Sequence, residues 1–436
     1  MSAVETAARG EISLDELAAE LRGGARAILM VRHGERPKMD PDDPSFGDAL
    51  KLTYEGVRTA RALGERLREF REGAQFYASP LTRTRMTAAC IAEGMGLPAA
   101  EVPVDGLLGN ESFYYADAAE VLDVFRPNNF FPACFEYFRT GELRGFRNLY
   151  QATDEMEAWL LAHFTGRLFV VATHDLYVAA FLRARNAVPE FTRENWPRFL
   201  DGGVILLRPD GSRRYALVRT GLSSGIVGVH RPHISGVVFD FGGVMTTTTM
   251  PERARRCAEE EGLPWPAMQA GYARYRHLLD GGFLSPEAMY DLIWADAGVT
   301  VPPEVAARVR EADFASYLVG CRNERTLQWM RELKAAGYRI GILTNMPPSF
   351  APRFREVYAD FVALADAMVI SGEELMFKPQ RRIYDLLQAR LGLPAEELCF
   401  IDDVEENCAA ARSAGWHAVR FEGNARAEGD FALFAG

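Results

Sequence analysis

The chain has 436 residues, 48% hydrophobic and 25% charged, the composition of a soluble globular protein and more sequence than one compact core usually serves. Its 49 Lys and Arg stand against 60 Asp and Glu, a net charge of −11, so no global positive field draws it to nucleic acid or to an anionic membrane surface. No apolar run reaches the roughly 18 to 20 residues that span a bilayer, residues 1–20 lack the order of a secretion signal, and six scattered cysteines without C-x-x-C spacing suit reduced thiols, so a cytoplasmic location is expected.

In chain order, residues 27–31 form a continuous apolar run that ends on Arg32-His33-Gly34-Glu35. Such a run suits a central strand of a parallel sheet, buried on both faces and ending in a glycine turn. Residues 53–70 carry Val57, Ala60, Leu63, Leu67 and Phe70 at helical spacing. A short strand is predicted at 75–78, a helix at 81–93, and a strand at 168–172 leading into a helix at 176–183. Residues 203–207 and 214–218 flank Pro209-Asp210-Gly211, a hairpin signal. Between these lies a segment, 110–146, dense in aromatic residues, which reads as an aromatic wall over a ligand site. The stretch 221–232 is rich in Gly and Ser with no apolar period; a linker is placed at 226–233, between a domain of residues 1–225 and one of 234–436.

The second domain opens with an apolar strand at 236–239 that runs into Asp240-Phe241-Gly242-Gly243. Residues 251–317 are almost wholly helical, and strand–helix alternation returns with strands at 338–343, 367–370, 398–401 and 418–421. The fold class is therefore α/β: two three-layer domains with largely parallel sheets, the second with an inserted helical cap at about 250–322. Ligands of such sheets sit at the carboxyl ends of the strands, which a cap in this position overhangs.

Three segments at predicted strand ends carry the first constellation: Arg32-His33-Gly34, Ser79 to Arg83, and Thr173-His174-Asp175. Two Arg and two His around one point form an excess of donors that suits a phosphoryl group. A neutral, oriented imidazole can also attack phosphorus without a separate base. With Leu52-Thr53-Tyr54-Glu55-Gly56, these motifs occur in the order of the histidine phosphatase superfamily, which residues 26–220 resemble. The resemblance implies that His33 takes the phosphoryl group, that Arg32, Arg83 and His174 hold its oxygens, and that no metal or other cofactor is required. The proton donor has two candidates, Asp175 directly after the second His and Glu111 in the loop after the second helix, with Asp175 favoured. Arg36 and Arg85 are either further anion contacts or solvated surface residues.

The second constellation is Asp240 at the end of its strand, Thr344-Asn345 after another, Lys378 in Phe377-Lys378-Pro379, and the pair Asp402-Asp403. Paired carboxylates seldom persist without a cation, and Asp240 with Asp403 and a backbone carbonyl makes a hard oxygen site of the kind Mg²⁺ prefers. This order resembles the haloacid dehalogenase-like superfamily over residues 234–425. The resemblance implies Asp240 as nucleophile, Thr344, Asn345 and Lys378 as holders of the transferred group, and a metal held by Asp240, the Gly242 carbonyl and Asp403, with Asp402 beside it. Asn407 would brace the Asp402 loop. One position departs from the family: Gly242 stands where its phosphatases carry a second Asp that protonates the leaving alkoxide. Three readings stay open: a good leaving group, an acid from the cap (Tyr275, Arg276, His277 or Asp280), or binding without turnover. Thr246 to Thr249 are candidate hydroxyl contacts. The chain thus reads as a bifunctional hydrolase of a small phosphorylated metabolite; the alternatives are phosphoryl transfer or mutase chemistry, or a C-terminal domain that is only a phospholigand-binding or structural module.

Overall fold

The computed structural model describes residues 10–39, 47–98, 102–109, 111–125, 129–229, 232–247, 252–318 and 320–435. It divides into two compact units, Met1–Arg231 and Pro232–Gly436.

The first unit is built on a six-stranded sheet: β1 (Glu11–Ser13), β2 (Arg26–Arg32), β3 (Ala74–Ala78), β4 (Leu168–Thr173), β5 (Gly202–Leu207) and β6 (Arg213–Arg219), in the order β1-β6-β5-β2-β4-β3. β2 and β4 are parallel neighbours, β3 extends that parallel set, and β5 and β6 form the antiparallel hairpin. Ala27 to Val31 of β2 and Leu168 to Ala172 of β4 are fully buried or nearly so, as central strands require. Their register pairs Arg32 with Thr173, so His33 and His174 leave adjacent strands side by side. The His33 amide continues the ladder to the Thr173 carbonyl at 3.0 Å, and the Ser79 amide does the same to Ala172 at 3.1 Å. Three loops thus converge on one edge because three parallel strands end in step.

Two features of this unit were not legible in the sequence. The strand Glu11–Ser13 and the helix Leu14–Arg22 form where the sequence gave no element; Ser13 and Glu16 cap that helix reciprocally. The Gly- and Ser-rich segment taken as a linker is packed on the first unit up to Val229. The Phe199 amide donates to the Gly225 carbonyl, and Val229 bridges to Pro37.

The second unit carries five strands, all parallel: β7 (Gly236–Phe239), β8 (Arg339–Thr344), β9 (Ala367–Ile370), β10 (Leu398–Asp402) and β11 (His417–Arg420), in the order β11-β10-β7-β8-β9. Four helices, Glu252–Glu260, Trp265–Asp280, Pro286–Asp296 and Pro303–Leu318, form the insertion after β7. They enclose an apolar core of their own, including Met289, Tyr290, Ile293 and Val309. Because β7 lies between β10 and β8, Asp240 emerges between the loop of Asp402-Asp403 and that of Thr344-Asn345.

Candidate active sites

In the first unit, His33 is 3% exposed and its Nδ1 lies 2.8 Å from the Gly34 carbonyl oxygen. A carbonyl only accepts, so Nδ1 carries the hydrogen and the neutral ring presents its lone pair at Nε2. The His174 ring lies 5.7 Å away, edge-on, with Nε2 at 3.1 Å from the Ser79 hydroxyl. Burial, followed by the charges of Arg83, Arg32 and Arg36, holds His33 well below the ordinary histidine value of 6.5; the same groups act on His174.

The arginines are fixed from behind. Arg32 donates to the carbonyls of Pro197 (2.6 Å) and Ile226 (2.8 Å), pairs with Asp175 at 3.3 Å, and stacks on Phe199 at 4.3 Å. Arg83 donates to the Gly47 carbonyl at 2.8 Å; burial and the neighbouring Arg36 depress its pKa to about 10. Arg36 donates to the Pro37 carbonyl. On all three guanidinium groups the Nε is buried and has no hydrogen-bond partner among the described residues. Buried donors left this way cost about 1–3 kcal/mol each, so the cluster lacks its acceptor.

The backbone here depends on a close approach. A Cβ on Gly56 would sit 2.2 Å from the Glu35 carbonyl oxygen. Only glycine lets the helix Tyr54–Leu67 begin there, with Thr53 capping it through the Gly56 amide and donating to the Glu35 carboxylate at 2.8 Å.

Asp175 accepts from the Leu176 amide (3.0 Å) and, through its other oxygen, from the Trp196 indole (3.0 Å). Glu111 is exposed, and its carboxylate lies against Gly106, where a Cβ would meet it at 2.6 Å. Arg85 is exposed, whereas Arg36 belongs to the cluster. The aromatic segment is mainly core: Phe113, Tyr114, Tyr137, Phe138 and Phe146 are buried. Phe130, Phe131 and Phe135 stand 5.2 to 6.1 Å from Trp196, edge-on, and so back the indole that holds Asp175. Asn110, the first residue of that segment, lies outside the described residues. Trp196 and Phe199, which no sequence motif flags, reach the site through tertiary packing alone.

In the second unit, the Lys378 ammonium bridges Asp240 Oδ1 and Asp402 Oδ2, each at 2.7 Å. These two charges hold Lys378 above the ordinary lysine value despite its burial, and burial pushes Asp240 up against the pull of Lys378. Asp402 is fully buried and saturated: it also accepts from Asn407 Nδ2 (3.1 Å to each oxygen) and the Val404 amide (2.8 Å). Asn345 clamps the Lys378 backbone in both directions, donating to its carbonyl at 3.0 Å and accepting from its amide at 2.8 Å. Thr344 is buried at the end of β8.

Carboxylate oxygens of Asp240, Asp402 and Asp403 lie within 4.8 Å of one another. Burial and Asp402 push Asp403 up. Three carboxylates against one ammonium leave an excess negative charge, and Asp402 spends its oxygens on Lys378 and Asn407. A hard cation fits the donors that remain on Asp240 and Asp403, and Gly242 lines the same cavity. A side chain at Gly242 would meet open space, with nothing within 4 Å of a Cβ.

The cap candidates separate. Arg276 faces Asp240 across the same cavity, paired with Asp280 at 2.8 Å. Tyr275 is turned to Asp296 at 2.9 Å, and His277 is exposed beside Phe377. Thr246 and Thr247 are bound to backbone, at the Gly243 amide (2.9 Å) and the Cys321 carbonyl (3.3 Å); Thr248 and Thr249 lie outside the described residues.

Residues 28–104 match the family model of the histidine phosphatase superfamily (branch 1), and residues 234–415 that of haloacid dehalogenase-like hydrolases. Among curated proteins, the chain is 29% identical to sesquiterpene phosphatase astK of Aspergillus oryzae, a match over 31% of this chain and 65% of that protein. It is 25% identical to phosphatase MT3486 of Mycobacterium tuberculosis (42% and 86% covered) and 27% identical to an (S)-2-haloacid dehalogenase of Pseudomonas putida (42% and 82%). The match to the first of these thus spans just under two thirds of its length. Among solved structures, the chain is similar to a haloacid dehalogenase family enzyme of Bacteroides thetaiotaomicron, with 19% identity, 43% of this chain and 93% of that one covered, and a TM-score of 0.35.

The electrostatics of the first unit predict a titration. In nitrogen-15 spectra, the His33 and His174 rings stay neutral as pH falls through 6.5 and protonate only below it. The folded state then binds fewer protons than the unfolded chain, so the unit loses stability as pH falls from 6.5 toward the folded pKa values. Protonation of either ring at neutral pH would contradict this arrangement.

Proposed function

Since the chain joins an N-terminal histidine phosphatase domain to a C-terminal haloacid dehalogenase-like hydrolase domain, we propose that it is a phosphoric monoester hydrolase with two chemically distinct sites acting on small phosphorylated metabolites. The observation that carries the first assignment is the set of three buried, acceptor-less Nε–H groups around the His33 lone pair. A phosphoryl group supplies the missing acceptors and places phosphorus before a nucleophile.

In the first site, His33 Nε2 attacks phosphorus while the bond to the ester oxygen breaks. The leaving oxygen takes its proton from Asp175, and the phosphoryl group rests on Nε2 between Arg32, Arg36, Arg83 and His174. Water then attacks, Asp175 recovers a proton, and the ring returns neutral. Nδ1 keeps its hydrogen throughout and donates it to the Gly34 carbonyl, so the tautomer is fixed before substrate arrives. No metal is required by these residues.

In the second site, Asp240 is the nucleophile: one of its carboxylate oxygens attacks phosphorus while the bond to the ester oxygen breaks, the leaving group departs as an anion, and water then cleaves the aspartyl phosphate to inorganic phosphate and the free carboxylate. Lys378 neutralises charge on the transferred group, Asn345 fixes the Lys378 loop, and Asp402 with Asn407 sets the ammonium in place. Mg²⁺, held by Asp240, Asp403 and the Gly242 carbonyl, would offset the negative charge of the phosphoryl oxygens and the carboxylates.

Three outcomes test these roles. His33→Ala abolishes hydrolysis of 4-nitrophenyl phosphate measured in EDTA, whereas Asp240→Asn removes only activity that Mg²⁺ restores; EDTA-resistant turnover surviving in His33→Ala would sink the first assignment. Asp175→Asn lowers kcat of the EDTA-resistant reaction by about 10²–10⁴-fold, with a smaller loss for a substrate whose leaving group is a weak base, while Glu111→Gln stays near the parent. The reverse pattern would make Glu111 the donor. Gly242→Asp, which meets no steric obstacle, raises Mg²⁺-dependent hydrolysis of alkyl phosphates in a His33→Ala background by about 10²-fold or more. No gain there would show that the missing acid is not what limits this site.

A further inference from the structure

The cavity over Asp240 takes two side chains from the helical insertion among the described residues, Arg276 and Tyr317. The remainder of its lining belongs to the core of the unit, with Phe241, Met346, Phe350 and Val404 as its apolar part. Arg276 is held as a fixed group. Its Nε donates to Asp280 at 2.8 Å, Nη1 donates to the Tyr272 hydroxyl, and the rings of Tyr272 and Tyr317 lie 5.3 and 5.5 Å from the guanidinium carbon. Asp280 is anchored in turn, because the Ser371 hydroxyl of the core donates to its carbonyl. The conformational cost of presenting this guanidinium is thus met in the free protein.

No group of the described residues accepts from Arg276 Nη2. The Arg276 side chain keeps 25% of its surface accessible, so the donors that protein does not take up stay available to a ligand. Here the open donors belong to a residue that lines the same cavity as the reactive carboxylate. The transferred phosphoryl group does not call for them, since Lys378 and the hard-oxygen cluster already serve it. The acceptor must lie at the other end of the substrate.

From this juxtaposition we infer that Arg276 is the specificity residue of the Asp240 site, and that its substrate carries a second oxyanion, remote from the transferred group, on a compact body that packs on Tyr317 and Phe350. The planar fork of Arg276 takes that oxyanion, and the body occupies the aromatic and thioether part of the cavity. The inference rests on the proposed reading of Asp240 as a phosphoryl-accepting site.

The test uses the full chain carrying His33→Ala, with Mg²⁺, and calorimetric titration of two non-hydrolysable probes, benzylphosphonate and 4-carboxybenzylphosphonate. The carboxylate probe binds at least tenfold more tightly to the component that responds to Arg276. Arg276→Met removes that margin and changes the Kd of benzylphosphonate less than twofold. Equal weakening of both probes, or no margin in the parent, would overturn the inference. Should Arg276→Met melt early, Arg276→Lys carries the same test: it keeps the charge and loses the fork, so the margin falls at least threefold with benzylphosphonate unchanged. Turnover is scored separately. Loss of all Mg²⁺-dependent hydrolysis with the binding margin intact would count against Asp240 as a catalyst and leave the Arg276 subsite standing.

Discussion

Three guanidinium groups confined around one neutral imidazole form the constraint on which the first unit depends. Like charges gathered in one pocket repel, and Asp175 offsets part of that repulsion by pairing with Arg32 at 3.3 Å. The protein meets this cost with fixed acceptors behind the cluster, namely the carbonyls of Pro197, Ile226 and Gly47, and with the face of Phe199. Burial, and after it the same positive field that makes the cluster expensive, hold the His33 pKa well below the ordinary histidine value. Under the proposed roles, the nucleophile and the anion cradle are therefore one electrostatic device. Filling the cradle with an anion relieves the repulsion and satisfies the open donors together.

Under the proposed assignments, the second unit serves the same kind of ligand with the opposite sign of charge. Its strand ends gather three carboxylates around one lysine. Asp402, fully buried and bonded to Lys378, Asn407 and the Val404 amide, orients the ammonium rather than offering free oxygens. That division of labour explains a pair of adjacent aspartates: one organises, the other faces the cavity. Asn345 is likewise a clamp on the Lys378 loop, although the family pattern implies a direct contact with the transferred group.

The sequence carried the parts of this that depend on strand ends. His33, His174, Asp240 and the Asp402-Asp403 pair follow apolar runs that can only be buried strands, and parallel register then brings them to one edge. What it did not carry is set by packing between distant segments. Trp196 reaches Asp175 only once the aromatic helix Phe130–Thr140 is folded behind it. The polar, glycine-rich stretch before residue 230 has the composition of a linker, yet its carbonyl at Ile226 holds Arg32 and its Val229 amide donates to the Arg36 carbonyl. Composition reports the absence of an apolar period; it does not report which backbone groups a buried arginine will need. Arg36 and Arg85 were equivalent on paper for the same reason, and only burial separates them.

Under the proposed assignments, the two sites divide phosphorylated compounds by leaving group. In the first, Asp175 as the assigned donor protonates an alkoxide that would otherwise be a poor leaving group. The second has Gly242 at the corresponding position, and open space where an acid would stand. Without a proton, the departing group must leave as an anion and be stabilised as one. In that setting a clamped guanidinium across the cavity acts where a proton donor cannot: it selects substrates that already carry negative charge, and it needs no protonation cycle. Two domains with overlapping chemistry on one chain are then not duplicates, because the barrier each can lower belongs to a different class of ester.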